Sequence, residues 1–249
     1  VFLNTTSNSF THSIFNKYKI NLCLDIFGSK SLQVAKKLNI KYVKIHSSDF
    51  FNYVLIDESI KTFEFVFISI GGASENEINE IITKYSQYKN KLIFLYGFQS
   101  EPTPVNKSNA NKLFNLKSLY PDINFGYMDH LSNSFNESLW LSSLCLANGI
   151  KIFEKHITLD TMLEIEDFIS ALPPKKFKEY TKNINLAQKF LGNKSTTLSK
   201  DEIEYRNKAY KIVVAKKNLK KNLLITKNDL KLLRLPVTYK GDRLFKTSE

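Results

Sequence analysis

The sequence is short of the residues that would take it out of the ordinary globular class. It has two cysteines in 249 residues, Cys23 and Cys145, too few for a disulfide scaffold. Each sits in an apolar run, which predicts two buried thiols in a cytoplasmic protein. Glycine is scarce, eight residues in all, and the lone pair Gly71–Gly72 is too little for a dinucleotide or phosphate loop. No apolar run approaches the roughly 18 residues of a spanning helix, so no membrane is expected as a partner. The opening segment VFLNTTSNSF lacks the basic head and apolar core of a signal peptide.

What is present is an ordinary apolar share, 43%, with 24% charged residues, which excludes wholesale disorder. The net charge of +12 is uneven. Residues 1–174 carry a net −1 and residues 175–249 a net +13. That asymmetry suggests a basic tail region facing something anionic, either nucleic acid or a phosphorylated or carboxylated small substrate. The other reading is a lysine-rich surface from an AT-rich coding sequence. No aromatic-basic interleaving or known binding motif supports nucleic acid, so none is expected as a partner.

Short β-branched or aromatic runs alternate with helical patterns along the first 190 or so residues. The predicted strands are Ile20–Leu24, Tyr42–Ile45, Phe63–Ile70, Lys91–Tyr96, Ile123–Tyr127 and Lys151–His156. Helices are predicted over Ser29–Leu38, Asn52–Lys61, Glu75–Tyr88, Ser108–Leu119, Phe135–Ala147 and Pro174–Leu191. Ser29, Ser74 and Ser134 stand where N-caps belong, and Glu77 completes a capping-box pattern with Ser74. Six βα units in a row imply an α/β protein with a parallel sheet. They fit either a doubly wound open sheet or an incomplete (β/α)8 TIM-type barrel, whose full form takes about 250 residues. After Gly192 the pattern changes: residues 193–204 read as a linker, and residues 205–249 as a small second domain. Within it, Asn222 occupies a turn where a left-handed conformation is expected.

The polar residues cluster at predicted strand ends, where barrels place their chemistry. His130 and His156 end two consecutive strands and could converge on one metal. Lys44 lies inside an apolar strand, and a buried ammonium is costly unless it meets an anion; the alternative is a lysine that snorkels from a strand end. Ser47, Ser69 and nearby backbone amides could join Lys44 around a phosphate. Asp129 could orient His130 or cap the strand end. His46 follows a strand but is expected to point away from the interior. His12 lies in an irregular leader and is given no role.

These residues carry a resemblance. YVKIHSSDF (Tyr42–Phe50) resembles the K-I-x-S-x-D/E strand of the sialic acid synthase family, the phosphoenolpyruvate-dependent N-acetylneuraminate synthases. VFISIGGAS (Val66–Ser74) resembles its S-T-G-M strand, and KLIFLYGFQSEPTP (Lys91–Pro104) its H-C-T-S-x-Y-P-T-P segment. FGYMDH (Phe125–His130) is similar to G-x-S-D-H, and FEKHITLD (Phe153–Asp160) to I-E-K-H-F-T-L-D. DFISALPPKKF (Asp167–Phe177) fits the segment that follows, and Lys211–Pro236 resembles the start of the family's C-terminal antifreeze-like (SAF) domain. The motifs occur in family order.

The resemblance implies a six-unit portion of the TIM barrel over residues 1–192, followed by a partial antifreeze-like domain. The implied reaction is condensation of phosphoenolpyruvate with an N-acetylated hexosamine, N-acetylmannosamine or a diacetamido hexose. Lys44, Ser47 and Ser69 match phosphoenolpyruvate-binding positions. His130 and His156 match the ligands of a divalent metal, Mn2+ or Mg2+. Asp49 and Asp167 match acidic residues that contact the amino sugar, and Lys44, Asp49 and Asp167 are the implied catalytic set. Arg234 matches the antifreeze-like-domain arginine that reaches the sugar from the partner subunit, which implies a homodimer with swapped C-terminal domains.

Departures from the pattern are specific. Met128 stands in place of a phosphate-contacting serine, Asp25 in place of a phosphate-contacting threonine, and Tyr96 in place of the first histidine of H-C-T-S. Glu164, Ile165 and Glu166 replace a P-G-P. The family's first two βα units find no counterpart, so the chain is expected to be N-terminally truncated and inactive alone. The alternative expectation is a non-catalytic relative that binds a sugar or acts as a scaffold.

Overall fold

The computed structural model describes residues 13–133 and 135–236. The expected N-cap at Ser134, His12, and the last thirteen positions of the second domain lie outside the described residues. The chain divides into two compact units, Val1–Gly192 and Asn193–Glu249.

The first unit is a six-stranded parallel sheet in sequential order, β1-β2-β3-β4-β5-β6. The strands are β1 (Cys23–Ile26), β2 (Tyr42–Ile45), β3 (Phe65–Ser69), β4 (Leu92–Tyr96), β5 (Asn124–Asp129) and β6 (Ile152–Lys155). Between them run α1 (Ser29–Lys37), α2 (Tyr53–Thr62), α3 (Glu75–Lys84), α4 (Ala110–Leu119) and α5 (Phe135–Ala147), and α6 (Pro174–Leu191) follows β6. Local chemistry sets several helix starts. Asn52 Oδ1 accepts from Leu55 N at 3.2 Å, and Ser74 and Glu77 form the expected capping box. Ser29 differs from expectation. It is the first helical residue, Gly28 holds the cap position without a side-chain bond, and Ser31 Oγ takes the Phe27 amide at 2.8 Å instead.

Period-two alternation sorts the strands into two faces. One face packs on the helices: Ile26, Val43, Ile45, Val66, Ile68, Phe94, Phe125 and Tyr127 meet Leu32, Ile56, Ile60, Ile78, Ile81, Leu113 and Cys145. Each such side chain contributes about 1.5–3 kcal/mol on burial. The inner face carries a smaller apolar group, Ile93, Leu95 and Met128 against Phe65, Phe67 and Ile152. Gly126 belongs to this face, where a Cβ would sit 2.6 Å from Leu95 Cδ2. Cys145 is buried as expected, but Cys23 is exposed, because β1 is an edge strand and lacks a neighbour on one side.

One ion pair decides between the flat and the curled sheet. Lys44 on β2 and Glu154 on β6 touch at 2.8 Å. Four strand spacings separate β2 from β6, about 19 Å in a flat sheet. Side chains cannot bridge that, so the sheet curves around its inner face. The first unit is therefore a section of a TIM-like α/β barrel with β1 and β6 at its edges.

The second unit holds α7 (Lys200–Ala209) and an antiparallel pair, β7 (Ile212–Ala215) with β8 (Leu230–Leu233). Residues 200–204, expected as linker, are helical because Ser199 and Glu202 close a capping box. Asn222 has φ 68°, the left-handed turn conformation expected of it. Among the described residues, no helix is long and apolar enough to cross a membrane.

Candidate active site

The C-terminal ends of β5 and β6 are pinned together by a buried pair. Asp129 Oδ1 accepts from Leu131 N at 2.8 Å and meets Lys155 Nζ at 3.2 Å. Lys155 Nζ also donates to the Leu131 carbonyl at 3.1 Å. Both side chains are almost wholly buried, and burial holds the Lys155 ammonium below its ordinary pKa, with Asp129 opposing the shift. Asp129 is thus a strand-end cap and lysine partner. The next residue on each strand is a histidine. His130 and His156 have ring centroids 5.3 Å apart. Their carbonyls accept from Thr103 N at 2.7 Å and Leu172 N at 2.9 Å, which fixes both strand ends.

Glu101, in the loop between β4 and α4, completes a group with the two imidazoles. Its Oε1 lies 3.0 Å from His156 Nε2 and 3.8 Å from His130 Nε2. Asp167 Oδ2 lies 3.7 Å from His156 Nδ1, on the other side of that ring. Asp167 has φ 65°, a left-handed conformation that aspartate tolerates better than most residues. Burial, then the hydrogen bond and charge of Asp167, raise the Glu101 carboxyl above the usual range. Burial, reinforced by His156, lowers the His130 imidazole and favours its neutral, ligand-competent form. Among the described residues, His130 Nδ1 and His156 Nε2 are buried without a hydrogen-bond partner. Glu101, His130 and His156 can each offer one ligand atom within 4.8 Å of the others. Imidazole with carboxylate is a donor set that suits first-row divalent ions, so the residues present fit a metal.

The same cavity, about 460 Å³, continues to a second polar group. There Lys44 Nζ sits between Glu154 Oε1 at 2.8 Å and Asp25 Oδ2 at 3.3 Å. Burial works against the charge on Lys44, but Glu154 and Asp25 outweigh it and raise its pKa. Burial raises the Asp25 carboxyl, against the pull of Lys44. Ser69 Oγ lies 3.5 Å from Met128 Sδ, a weak and buried contact.

The structure brings Lys44, Ser69, His130, His156 and Asp167 to one cavity. Ser47 and Asp49 are not among its lining residues. They form a 3-10 turn after β2, capped by His46 Nδ1, with Asp49 Oδ1 accepting from Asn52 Nδ2 at 2.8 Å. His46 lines the cavity, contrary to expectation, with its ring 4.8 Å from that of Phe27. Arg234 is in the second unit, where its Nε donates to the Lys208 carbonyl at 2.8 Å. Glu101 and Glu154 were missed by sequence reasoning. Glu154 shares the inward parity of β6, a usable signal. Glu101 is a loop residue whose only signal is that it stands where the H-C-T-S-x-Y-P-T-P pattern has tyrosine.

Comparison with known proteins fits this geometry. Residues 5–196 match the NeuB family. The chain belongs to the NeuB family. An uncharacterized protein from Methanocaldococcus jannaschii is 30% identical over 206 residues, 82% of this chain and 59% of the relative. The N,N'-diacetyllegionaminic acid synthase of Campylobacter jejuni is 27% identical over 82% of this chain and 60% of its own length. The chain thus spans about three fifths of these curated relatives. The crystal structure of N-acetylneuraminic acid synthetase from Leptospira borgpetersenii superposes with TM-score 0.74 at 26% identity, covering 83% of this chain and 72% of that one.

Proposed function

We propose that this NeuB chain carries the condensing site of a cytoplasmic sugar-acid synthase. In this reading carbon 3 of phosphoenolpyruvate bonds to the aldehyde carbon of an open-chain N-acetylated hexosamine, N-acetylmannosamine or a diacetamido hexose. Water adds at carbon 2, the tetrahedral intermediate expels inorganic phosphate, and a nine-carbon 2-keto sugar acid results. The observation that carries the reading is the imidazole pair on adjacent strand ends, with centroids 5.3 Å apart in a polar cavity. Family membership and the synthase names of the relatives support it.

A divalent cation held by His130 and His156, Mn2+ or Mg2+, would supply Lewis-acid polarisation of a carbonyl oxygen. Asp167 faces His156 Nδ1 and so directs Nε2 into the cavity. The Glu101 and Asp167 carboxyls flank His156, Glu101 at Nε2 and Asp167 at Nδ1. Lys44 is the cavity's lysine and the group that would meet phosphate. Ser47, Ser69, Asp49, Asp167 and Arg234 enter the proposal as substrate-binding residues through the resemblance, with Arg234 supplied across a homodimer.

The test is phosphate release from phosphoenolpyruvate with Mn2+ and each amino sugar, on the 249-residue chain and on the chain co-expressed with two further βα units. Release that needs both substrates and vanishes in His130→Ala is expected. No release above background in either preparation sinks the reading. A second reading, binding without turnover, is favoured by one observation: Lys44 is already neutralised by Asp25 and Glu154. Sugar binding by calorimetry in the absence of phosphate release would select it.

A further inference from the structure

We propose that Glu101 is the third protein ligand of the cation site, joining His130 Nε2 and His156 Nε2, so that this chain holds a divalent cation without any substrate. This deepens the metal assignment made above and rests on it.

Distances come first. Metal–ligand bonds of about 2.0–2.2 Å place neighbouring ligand atoms about 3–3.5 Å apart. Glu101 Oε1 lies 3.0 Å from His156 Nε2 and 3.8 Å from His130 Nε2, so small side-chain adjustments close the set. Hydrogen bonding does not explain the approach. His156 Nε2 is buried and has no hydrogen-bond partner among the described residues, although a carboxylate oxygen is 3.0 Å away. A carboxylate and an imidazole nitrogen that approach without hydrogen-bond alignment are the arrangement a shared cation would stabilise.

Orientation agrees. Asp167 lies behind the same ring, at Nδ1. A carboxylate facing one imidazole nitrogen favours the tautomer that leaves a lone pair on the other, the usual setting of a metal-bound imidazole.

Charge also agrees. Five carboxylates line the cavity, Asp25, Glu101, Glu154, Glu166 and Asp167, against Lys44 as its lysine. Lys44 is spoken for by Asp25 and Glu154. The buried Lys155 turns to Asp129 and the Leu131 carbonyl. A dication at Glu101 offsets carboxylate charge that no lysine or arginine among the described lining residues offsets. Two imidazoles and one carboxylate favour Mn2+ over Mg2+, because imidazole is a poor ligand for the harder ion.

The experiment is an electron paramagnetic resonance titration of free Mn2+ with the whole chain, without substrate, on wild type, Glu101→Gln, Glu101→Asp and His156→Ala. Glu101→Gln should weaken binding by at least about tenfold, Glu101→Asp by less, and His156→Ala should remove it. Mn2+ should also raise the melting temperature of wild type and leave that of Glu101→Gln unmoved, and a millimolar excess of Mg2+ should displace Mn2+ poorly. Wild-type affinity in Glu101→Gln, with loss in His156→Ala, overturns the third ligand and leaves the histidine pair standing. Wild-type affinity in both overturns the third ligand and the metal assignment together. Neither outcome depends on turnover, so failure of the phosphate-release assay is a separate result.

Discussion

The two ends of the cavity use the same kinds of side chain and reach opposite electrostatic states. At one end Lys44 lies between Glu154 and Asp25, at 2.8 and 3.3 Å, and its charge is met within the protein. At the other, two imidazoles and two carboxyls face one another, and among the described residues His156 Nε2 is left without a hydrogen-bond partner. Buried polar atoms are normally satisfied, and the exceptions call for an explanation such as a bound ion. The closed end resembles a structural ion pair. The open end resembles a site waiting for a cation. The difference teaches that an anion at Lys44 must compete with two carboxylates already there, one of which, Asp25, keeps an unpartnered Oδ1 among the described residues, whereas a cation beside His156 Nε2 meets acceptor atoms with no donor opposite them.

The largest expected effect breaks the open end. His130→Ala and His156→Ala should each abolish Mn2+ binding while leaving the far-ultraviolet circular dichroism spectrum nearly unchanged. The histidine side chains close no hydrogen bond on which the sheet depends; their backbone carbonyls do that, by accepting from Thr103 and Leu172. Retained Mn2+ affinity in both variants would erase the contrast between the ends.

Beneath the open end sits a second, purely structural demand. Asp129→Ala leaves Lys155 as an unpaired ammonium in a fully buried position. Breaking one partner of such a pair costs about 3–5 kcal/mol. The expected result is a large drop in the urea midpoint at constant slope. A drop under about 1 kcal/mol would mean that Lys155 escapes to solvent, and that the strand ends are held by their backbone bonds alone.

How much of this was legible beforehand follows from the range of each interaction. The six βα units were legible because they are local: period-two runs in β2, β3 and β4, a 3.6-residue period in the helices, and the Ser74–Glu77 box. His130 and His156 were legible as a pair because each ends a strand, and consecutive strands of a parallel sheet are neighbours. The partners of Lys44 were not. Glu154 lies 110 residues away on a strand that is not adjacent, and only the curl of the sheet brings it within 2.8 Å. Asp25 was legible only as a departure from a phosphate-contacting threonine, yet it shares Lys44 from the neighbouring strand at the same register. Glu101 was illegible for another reason, since loop conformation carries no sequence period. Ser47 and Asp49 show the converse limit. The motif that contains them was recognised, but the local 3-10 turn engages Asp49 with Asn52 outside the cavity lining.

The closed end can be opened on purpose. Asp25→Asn removes one of the two carboxylate charges on Lys44 and should tighten phosphoenolpyruvate binding by on the order of tenfold, since a charge-assisted hydrogen bond is worth about 1.5–3 kcal/mol. Lys44→Ala in the Asp25→Asn background should erase the gain. Lys44→Ala alone should weaken phosphoenolpyruvate by roughly tenfold or more if the lysine reaches the anion in spite of its partners. Calorimetry reads all three. Identical affinities across the set would make Lys44 a structural lysine at a strand end.

The smallest effect serves as the control for the others. Tyr180 on α6 is buried, and its hydroxyl lies 2.5 Å from Ser142 Oγ on α5. Burial raises its pKa, so the phenol stays protonated and neutral across the working range. Tyr180→Phe removes one neutral hydrogen bond and leaves the Ser142 hydroxyl free to turn to another acceptor, a loss of about 1 kcal/mol. Neither residue lines the cavity that holds the two polar ends. Chemical denaturation should therefore register the change, while Mn2+ and phosphoenolpyruvate affinities stay at wild-type values. If Tyr180→Phe shifts Mn2+ affinity as well, the α5–α6 packing is coupled to the strand ends. The losses expected in the histidine variants would then have to be re-read as loosening of the β5–β6 frame rather than removal of ligands.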